Sequence, residues 1–282
     1  MSKCLRSFLR RARDFARETC WEVRGALGAR PRSPAELSRR LEWVAANDRA
    51  TNVFPWGDVE FTQASALPSQ FSEIFVKRHY QCGDLPDRPV IVDCGGNIGL
   101  SAIWFARTYP EAEITVYEPD VGLSAILKRN LARAGHAQAR VVNAAAWVSD
   151  GEISFNATGD DSGRIDPSGA TRVRAIDLSQ ALPDRVDLLK LDIEGAEFEV
   201  LEHLVSSGAI NRIQNIAAEF HPTRNSMLRM IMILAALHRA GFDLAFDSFL
   251  SPWVGLEQTS SPFRAVGRKR VLLYLYAWRR AC

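Results

Sequence analysis

The chain has 282 residues, 47% of them hydrophobic and 24% charged, and its net charge is +2. This is enough chain for one substantial α/β domain plus an extension, with an ordinary globular composition and no overall charge that announces a nucleic-acid partner. The five cysteines (Cys4, Cys20, Cys82, Cys94 and Cys282) are scattered, odd in number and lack a C-x-x-C pair. That pattern argues against a disulfide framework and a zinc site, and it fits a reducing, cytoplasmic setting.

No apolar run reaches the roughly 18 to 20 residues that span a bilayer, and the N-terminus lacks the apolar core of a signal peptide. Residues 1–40 hold 11 Lys/Arg against 4 Asp/Glu. Leu5, Phe8, Leu9, Ala12 and Phe15 fall at helical spacing among arginines. A helix packed on the domain is the favoured reading, ahead of one lying on an anionic membrane surface. After the break at Gly28–Pro34, Ser33 and Glu36 form a capping-box pattern for a second helix through Ala46. Residues 1–50 are therefore a basic helical extension and residues 51–282 the main domain. Between Thr51 and Gly83 short strand-like pieces (Val53-Phe54, Val59–Phe61) mix with a helix over Ser72–Tyr80.

From Arg88 the rhythm becomes regular, and a cofactor-binding core spans about residues 88–246. Pro89–Cys94 is an apolar run suited to a strand buried on both faces. A glycine-rich turn and a helix over Leu100–Thr108 follow. Glu113–Glu118 is a second strand, Val121–Ala134 a second helix stopped by Gly135, and Arg140–Ala146 a third strand. Glu152–Asn156 and Thr171–Ile176 are extra strands. Val186–Asp192 and Ile213–Phe220 are core strands, followed by helices from about Ala196 to Val205 and from Ser226 to Ala240. Phe242–Phe246 and Arg270–Tyr276 suit a terminal antiparallel pair. Alternating strands and helices predict a doubly wound α/β sheet of Rossmann-like type.

Three motifs fall at strand ends. Asp93-Cys94-Gly95-Gly96-Asn97-Ile98-Gly99 follows the first strand, where ligands of open α/β sheets bind. Its glycines allow close backbone approach, yet Asn97 breaks the G-x-G-x-x-G dinucleotide pattern. Glu118 ends the second strand, where a carboxylate accepts both hydroxyls of a ribose. This suits NAD and S-adenosylmethionine alike. Lys190–Glu197 (KLDIEGAE) follows the fourth core strand, with Asp192 and Glu194 able to face the reactive end of a cofactor. Glu197 suits the first turn of a helix. Glu219-Phe220-His221-Pro222 ends the fifth core strand, and His221 can accept a proton near neutral pH.

Taken together, DCGGNIG, YEPD, VVNAAAWVSDGEISF, LLKLDIEGAE and AAEFH resemble the FkbM family of class I methyltransferases over roughly Phe71 to Phe246. The resemblance implies a seven-stranded sheet with a reversed last strand and S-adenosylmethionine as cofactor. It places Asp93, Gly95, Asn97 and Gly99 around the methionine portion, Glu118 at the ribose, Asn143 and Ala144 near the adenine, and Asp192 beside the methionine end. Cys94 and Gly96 count as variable positions. The implied activity is O-methylation of a hydroxyl on a sugar or secondary metabolite, a small-molecule acceptor. His221, Glu194 and Asp192 are the candidate bases in no fixed order, and no metal is expected. The rivals are a nicotinamide-dependent oxidoreductase and a non-catalytic cofactor-binding adaptor. A nucleic-acid substrate is disfavoured because the basic residues gather at the two ends of the chain. Residues 51–80 and the loop from Ser248 to Gly267, with Phe249, Trp253 and Phe263, are candidates for a substrate lid.

Overall fold

A computed structural model of the chain describes residues 54, 56, 59–83, 85–157, 163–222, 225–250 and 271–280. The helices expected within residues 1–50 and the loop carrying Trp253 and Phe263 lie outside the described residues.

Among the described residues, α1 (Leu67–Phe71) follows a 3-10 turn at Ala64–Ala66, carries Pro68 in its first turn and runs on into a π-helical turn at Ser72–Val76. It thus starts earlier and ends earlier than the Ser72–Tyr80 helix expected from the sequence. Proline is tolerated in a first turn, where its missing N–H costs no bond. Arg78, at φ 59°, follows in the left-handed region. Val59–Phe61 is not a strand.

The regular part begins with β1 (Val90–Cys94), α2 (Leu100–Thr108), β2 (Glu113–Tyr117), α3 (Val121–Arg133) and β3 (Arg140–Val142). The expected strand over Arg140–Ala146 is broken in two. Ala144 N donates to Val142 O, and the Asn143 amide is held by Glu118 O and Pro119 O. The chain therefore turns out of the main sheet, and β4 (Ala145–Trp147) joins a second one. There it pairs with β7 (Thr171–Asp177), which also pairs with β5 (Gly151–Asn156); β5 in turn carries β6 (Arg164–Ile165). After a short α4 (Leu178–Ala181) come β8 (Leu188–Leu191), α5 (Glu197–Ser206), β9 (Asn215–Phe220), α6 (Met227–Arg239), β10 (Phe242–Leu250) and β11 (Val271–Arg279).

The main sheet has seven strands in the order β10-β11-β9-β8-β1-β2-β3. Only β11 runs against its neighbours, pairing antiparallel with both β9 and β10. This is the expected reversed strand. Alternate residues of β1 feed two cores: Val92 packs with Leu201 and Ile233 of α5 and α6, whereas Ile91 packs with Ile103 and Leu127 of α2 and α3. The sheet is therefore covered on both faces, which explains why its central strands read as continuous apolar runs. β1 lies between β2 and β8, so the chain leaves it in both directions. The loops after β1 and β8 open a crevice at this switch point.

Candidate active site

The crevice is built from backbone first. Gly95 N and Gly96 N both donate to Tyr117 O, at 3.0 and 3.1 Å, which ties the loop after β1 to the end of β2. Gly95, Asn97 and Gly99 all have positive φ. A Cβ on Gly95 would overlap the Asp192 carbonyl oxygen, so this loop and the one after β8 touch backbone to backbone. A Cβ on Gly96 would overlap Val116 and Leu127. Gly96 is thus tightly set by this fold, although the motif allows variation there.

Beneath the loop lies a buried charge pair. Asp93 is 0% exposed and Lys190 1%. The Lys190 ammonium stands 3.0 Å from Asp93 Oδ1, and Ser101 Oγ donates to Oδ2 at 2.6 Å. Lys190 also donates to the carbonyls of Cys94 and Gly95. Asp93 does not line the cavity. It anchors the loop from below, while Gly95 and Asn97 face the open space.

Glu118 lines the cavity and is 5% exposed. Asn97 N donates to its Oε2 at 2.8 Å and Asp120 N to its Oε1 at 2.9 Å. Both carboxylate oxygens are thereby aimed, and each keeps a lone pair for an incoming hydroxyl. Burial pushes this carboxyl up to about 7, against the pull of the two N–H donors. Asn143 and Ala144 do not line the cavity; their neighbours Ala145 and Ala146 do, facing Phe155 and Ile165 of the second sheet. The side chain of Asn143 braces the loop after β2 instead.

At the opposite end, Asp192 and Glu194 both line the cavity. Tyr80 donates its hydroxyl to Asp192 Oδ2 at 3.1 Å, and Lys190 lies 3.6 Å from the same oxygen. Glu194 and Gly195 take positive φ, and Glu197 locks this turn by accepting from Ile193 N and Gly195 N, each at 2.9 Å. Glu197 is the first residue of α5, as its place in the sequence suggests, and it is fully buried. His221 does not line the cavity. Its Nε2 sits behind two residues that do, 3.4 Å from Glu194 and 3.7 Å from Glu219.

Glu73 and Tyr80, which the sequence placed only within the candidate lid segment 51–80, line the cavity, as do Ser101, which no motif singled out, and Glu219, expected only as part of a strand-end cluster and as a possible oxygen ligand for a metal. Glu219 is 7% exposed and lines the cavity. Burial, then the charge of Asp192, hold its carboxyl well above the usual range, and Tyr274 donates to it. A strand-end acid at the close of an apolar run is the signal that could have singled it out.

A family model described as the methyltransferase FkbM domain matches residues 93–244, more than half of the chain. The chain belongs to the FkbM methyltransferase family. It is 30% identical over 226 residues to methyltransferase sdnD of Sordaria araneosa, covering 65% of this chain and 85% of that protein. It is 26% identical over 172 residues to methyltransferase 1 of Beauveria bassiana, covering 50% of this chain and 69% of that protein. Among solved structures, the FkbM methyltransferase of Methylobacillus flagellatus aligns with a TM-score of 0.49 at 16% identity, over 76% of this chain and 52% of that one.

The nicotinamide rival falls with this assignment. Membership of the FkbM methyltransferase family implies S-adenosylmethionine as cofactor, and the residues of the cavity fit it. Glu118 presents two aimed oxygens to a diol, Gly95 and Gly96 border the cavity without side chains, and Ala145, Ala146, Phe155 and Ile165 offer apolar wall. Among the described residues, no helix is long and apolar enough to cross a membrane, and no group of three or more His, Cys, Asp or Glu side chains is placed to hold a metal ion.

Proposed function

We propose that this FkbM methyltransferase transfers a methyl group to a hydroxyl oxygen of a small molecule, a sugar or secondary metabolite, without a metal ion. S-adenosylmethionine, when bound, supplies a methyl group already activated on a sulfonium. The chain's residues then have three tasks: to hold, to orient and to take a proton. Glu118 binds the ribose hydroxyls. Gly95 and Asn97 border the methionine portion, with Asp93 and Lys190 fixing their loop. Asp192 lies beside the methionine end, its orientation set by Tyr80.

One observation carries the choice of acceptor. Beyond Asp192 the cavity is walled by the carboxylates Glu194 and Glu219, and among the described residues the single cation lining it, Lys190, is already committed to Asp93. Such a wall takes hydrogen-bond donors and repels phosphates. It favours a neutral hydroxylated acceptor over a nucleic acid. The test is incubation of the purified chain with S-adenosylmethionine and a panel of sugars and polyhydroxylated metabolites, read by mass spectrometry. A methylated product from the neutral panel and none from phosphorylated counterparts or RNA supports the reading; methylation confined to RNA contradicts it.

A further inference from the structure

The sequence offered His221, Glu194 and Asp192 as bases, yet the cavity presents a fourth group with stronger geometric claims. Glu219 stands at the carboxyl end of β9 and is buried while still facing the cavity. It is directly paired across the sheet with Tyr274 of β11, whose hydroxyl donates to it. Asp192 also accepts from a tyrosine, Tyr80, but it stands 3.6 Å from the Lys190 ammonium, whose attraction it would lose on taking a proton, and this weakens it as a base. His221 lies behind the wall, within 3.7 Å of Glu219.

Strand spacing places these groups in order. Adjacent strands lie about 4.8 Å apart, so Glu118 after β2 and Asp192 after β8 are separated by two spacings, roughly 10 Å. Glu219 on β9 stands roughly 5 Å further on. With a ribose held at Glu118, the methyl-bearing end of the ligand falls toward β8, and Glu219 borders the space left for the acceptor.

We propose that Glu219 takes the proton of the acceptor hydroxyl, and that the positive charge of the bound methyl donor is what converts it to the carboxylate. This rests on the assignment of the cavity to S-adenosylmethionine. The groups facing Glu219 explain the switch. Asp192 after β8, Glu194 after β8 and Glu73 of the π-helical turn are acidic, and their charges oppose ionisation of Glu219. Tyr274 donates to it, Tyr80 lies on the Asp192 side, and His221 stands at its outer edge. Burial and these acidic neighbours hold the Glu219 carboxyl well above its ordinary range, so a cation entering beside it favours the carboxylate. A sulfonium beside Asp192 and Glu219 offsets the repulsion, and the proton leaves.

The transfer then balances. The acceptor oxygen forms its bond to the methyl carbon, the carbon–sulfur bond breaks with its electron pair left on sulfur, and the hydroxyl proton passes to a Glu219 oxygen. The demethylated product is a neutral thioether, so the charge that favoured the carboxylate is gone and the proton stays on Glu219.

The test needs no acceptor. Binding of S-adenosylmethionine and of S-adenosylhomocysteine to the full chain is measured by titration calorimetry near neutral pH, in buffers of differing ionisation enthalpy. The buffer dependence gives the protons released per ligand bound. The expected result is close to one more proton released with S-adenosylmethionine than with S-adenosylhomocysteine, and loss of that difference in Glu219→Gln while both ligands still bind. The same difference persisting in Glu219→Gln, or equal release with both ligands in the native chain, overturns the proposal and leaves the cofactor assignment standing. Absence of binding by either ligand overturns both.

Discussion

Gly95 meets Asp192 backbone to backbone: a Cβ on Gly95 would overlap the Asp192 carbonyl oxygen. The two loops that form the floor of the cavity are thus one packed unit. Gly95 also sits at φ 83°, where a side chain adds strain. Gly195, at φ 105°, has the same backbone problem but open space around it. Gly95→Ala is therefore expected to destabilise the fold by about 3 kcal/mol or more, from overlap and strain together, and Gly195→Ala by about 1 kcal/mol. Denaturant unfolding of the two variants checks the order. Equal losses would mean that the two loops do not make the contact described.

Lys190 and Asp93 form a second such test. Removing the cation leaves a carboxylate that is 0% exposed, with Ser101 donating to one of its oxygens. Lys190→Met is expected to cost about 3–5 kcal/mol, the usual range for stranding one member of a buried pair. Lys190→Met combined with Asp93→Asn should cost clearly less than the sum of the two single changes, because the stranded charge is removed. Additive losses in a double-mutant cycle would contradict the pairing.

The pH dependence of stability has a sign fixed by Glu197. Its carboxyl moves from an ordinary 4.5 to about 8 on burial, which outweighs the two N–H donors it accepts from. Between those values the folded chain keeps a proton that the unfolded chain has lost. This group's contribution is complete below pH 4.5 and declines as pH rises through the window to about 8. Glu118, raised to about 7, acts in the same direction. Urea unfolding at about pH 5 and about pH 8 should show the native chain losing more stability than Glu197→Gln over that interval. An identical loss in both would remove Glu197 as the source.

These tests also mark how far the sequence speaks for itself. The central strands were legible because burial on both faces demands unbroken apolar runs, the reversed last strand was implied by the resemblance to the FkbM family, and Gly95 and Glu118 were legible because they sit where such strands end. The split at Asn143 was not, since it depends on an amide reaching Glu118 and Pro119 across the sheet. The contacts of Tyr80 and Glu219 escaped for a related reason. Tyr80 reaches Asp192 from a segment before the first strand, and Tyr274, which marks Glu219, arrives on β11 from the far end of the chain. Spacing within a motif carries no record of such contacts. His221 was legible as a titratable strand-end residue, but its place behind Glu194 and Glu219 was set by packing alone.

Everything proposed for this cavity depends on S-adenosylmethionine binding there with its ribose on Glu118. The most direct measurement is calorimetric titration of the native chain and of Glu118→Ala with S-adenosylmethionine. Binding by the native chain is expected, weakened in the variant by roughly 30-fold, which is about 2 kcal/mol for hydrogen bonds to a charged group. Unchanged affinity in a folded Glu118→Ala variant, or no binding by the native chain, would contradict it.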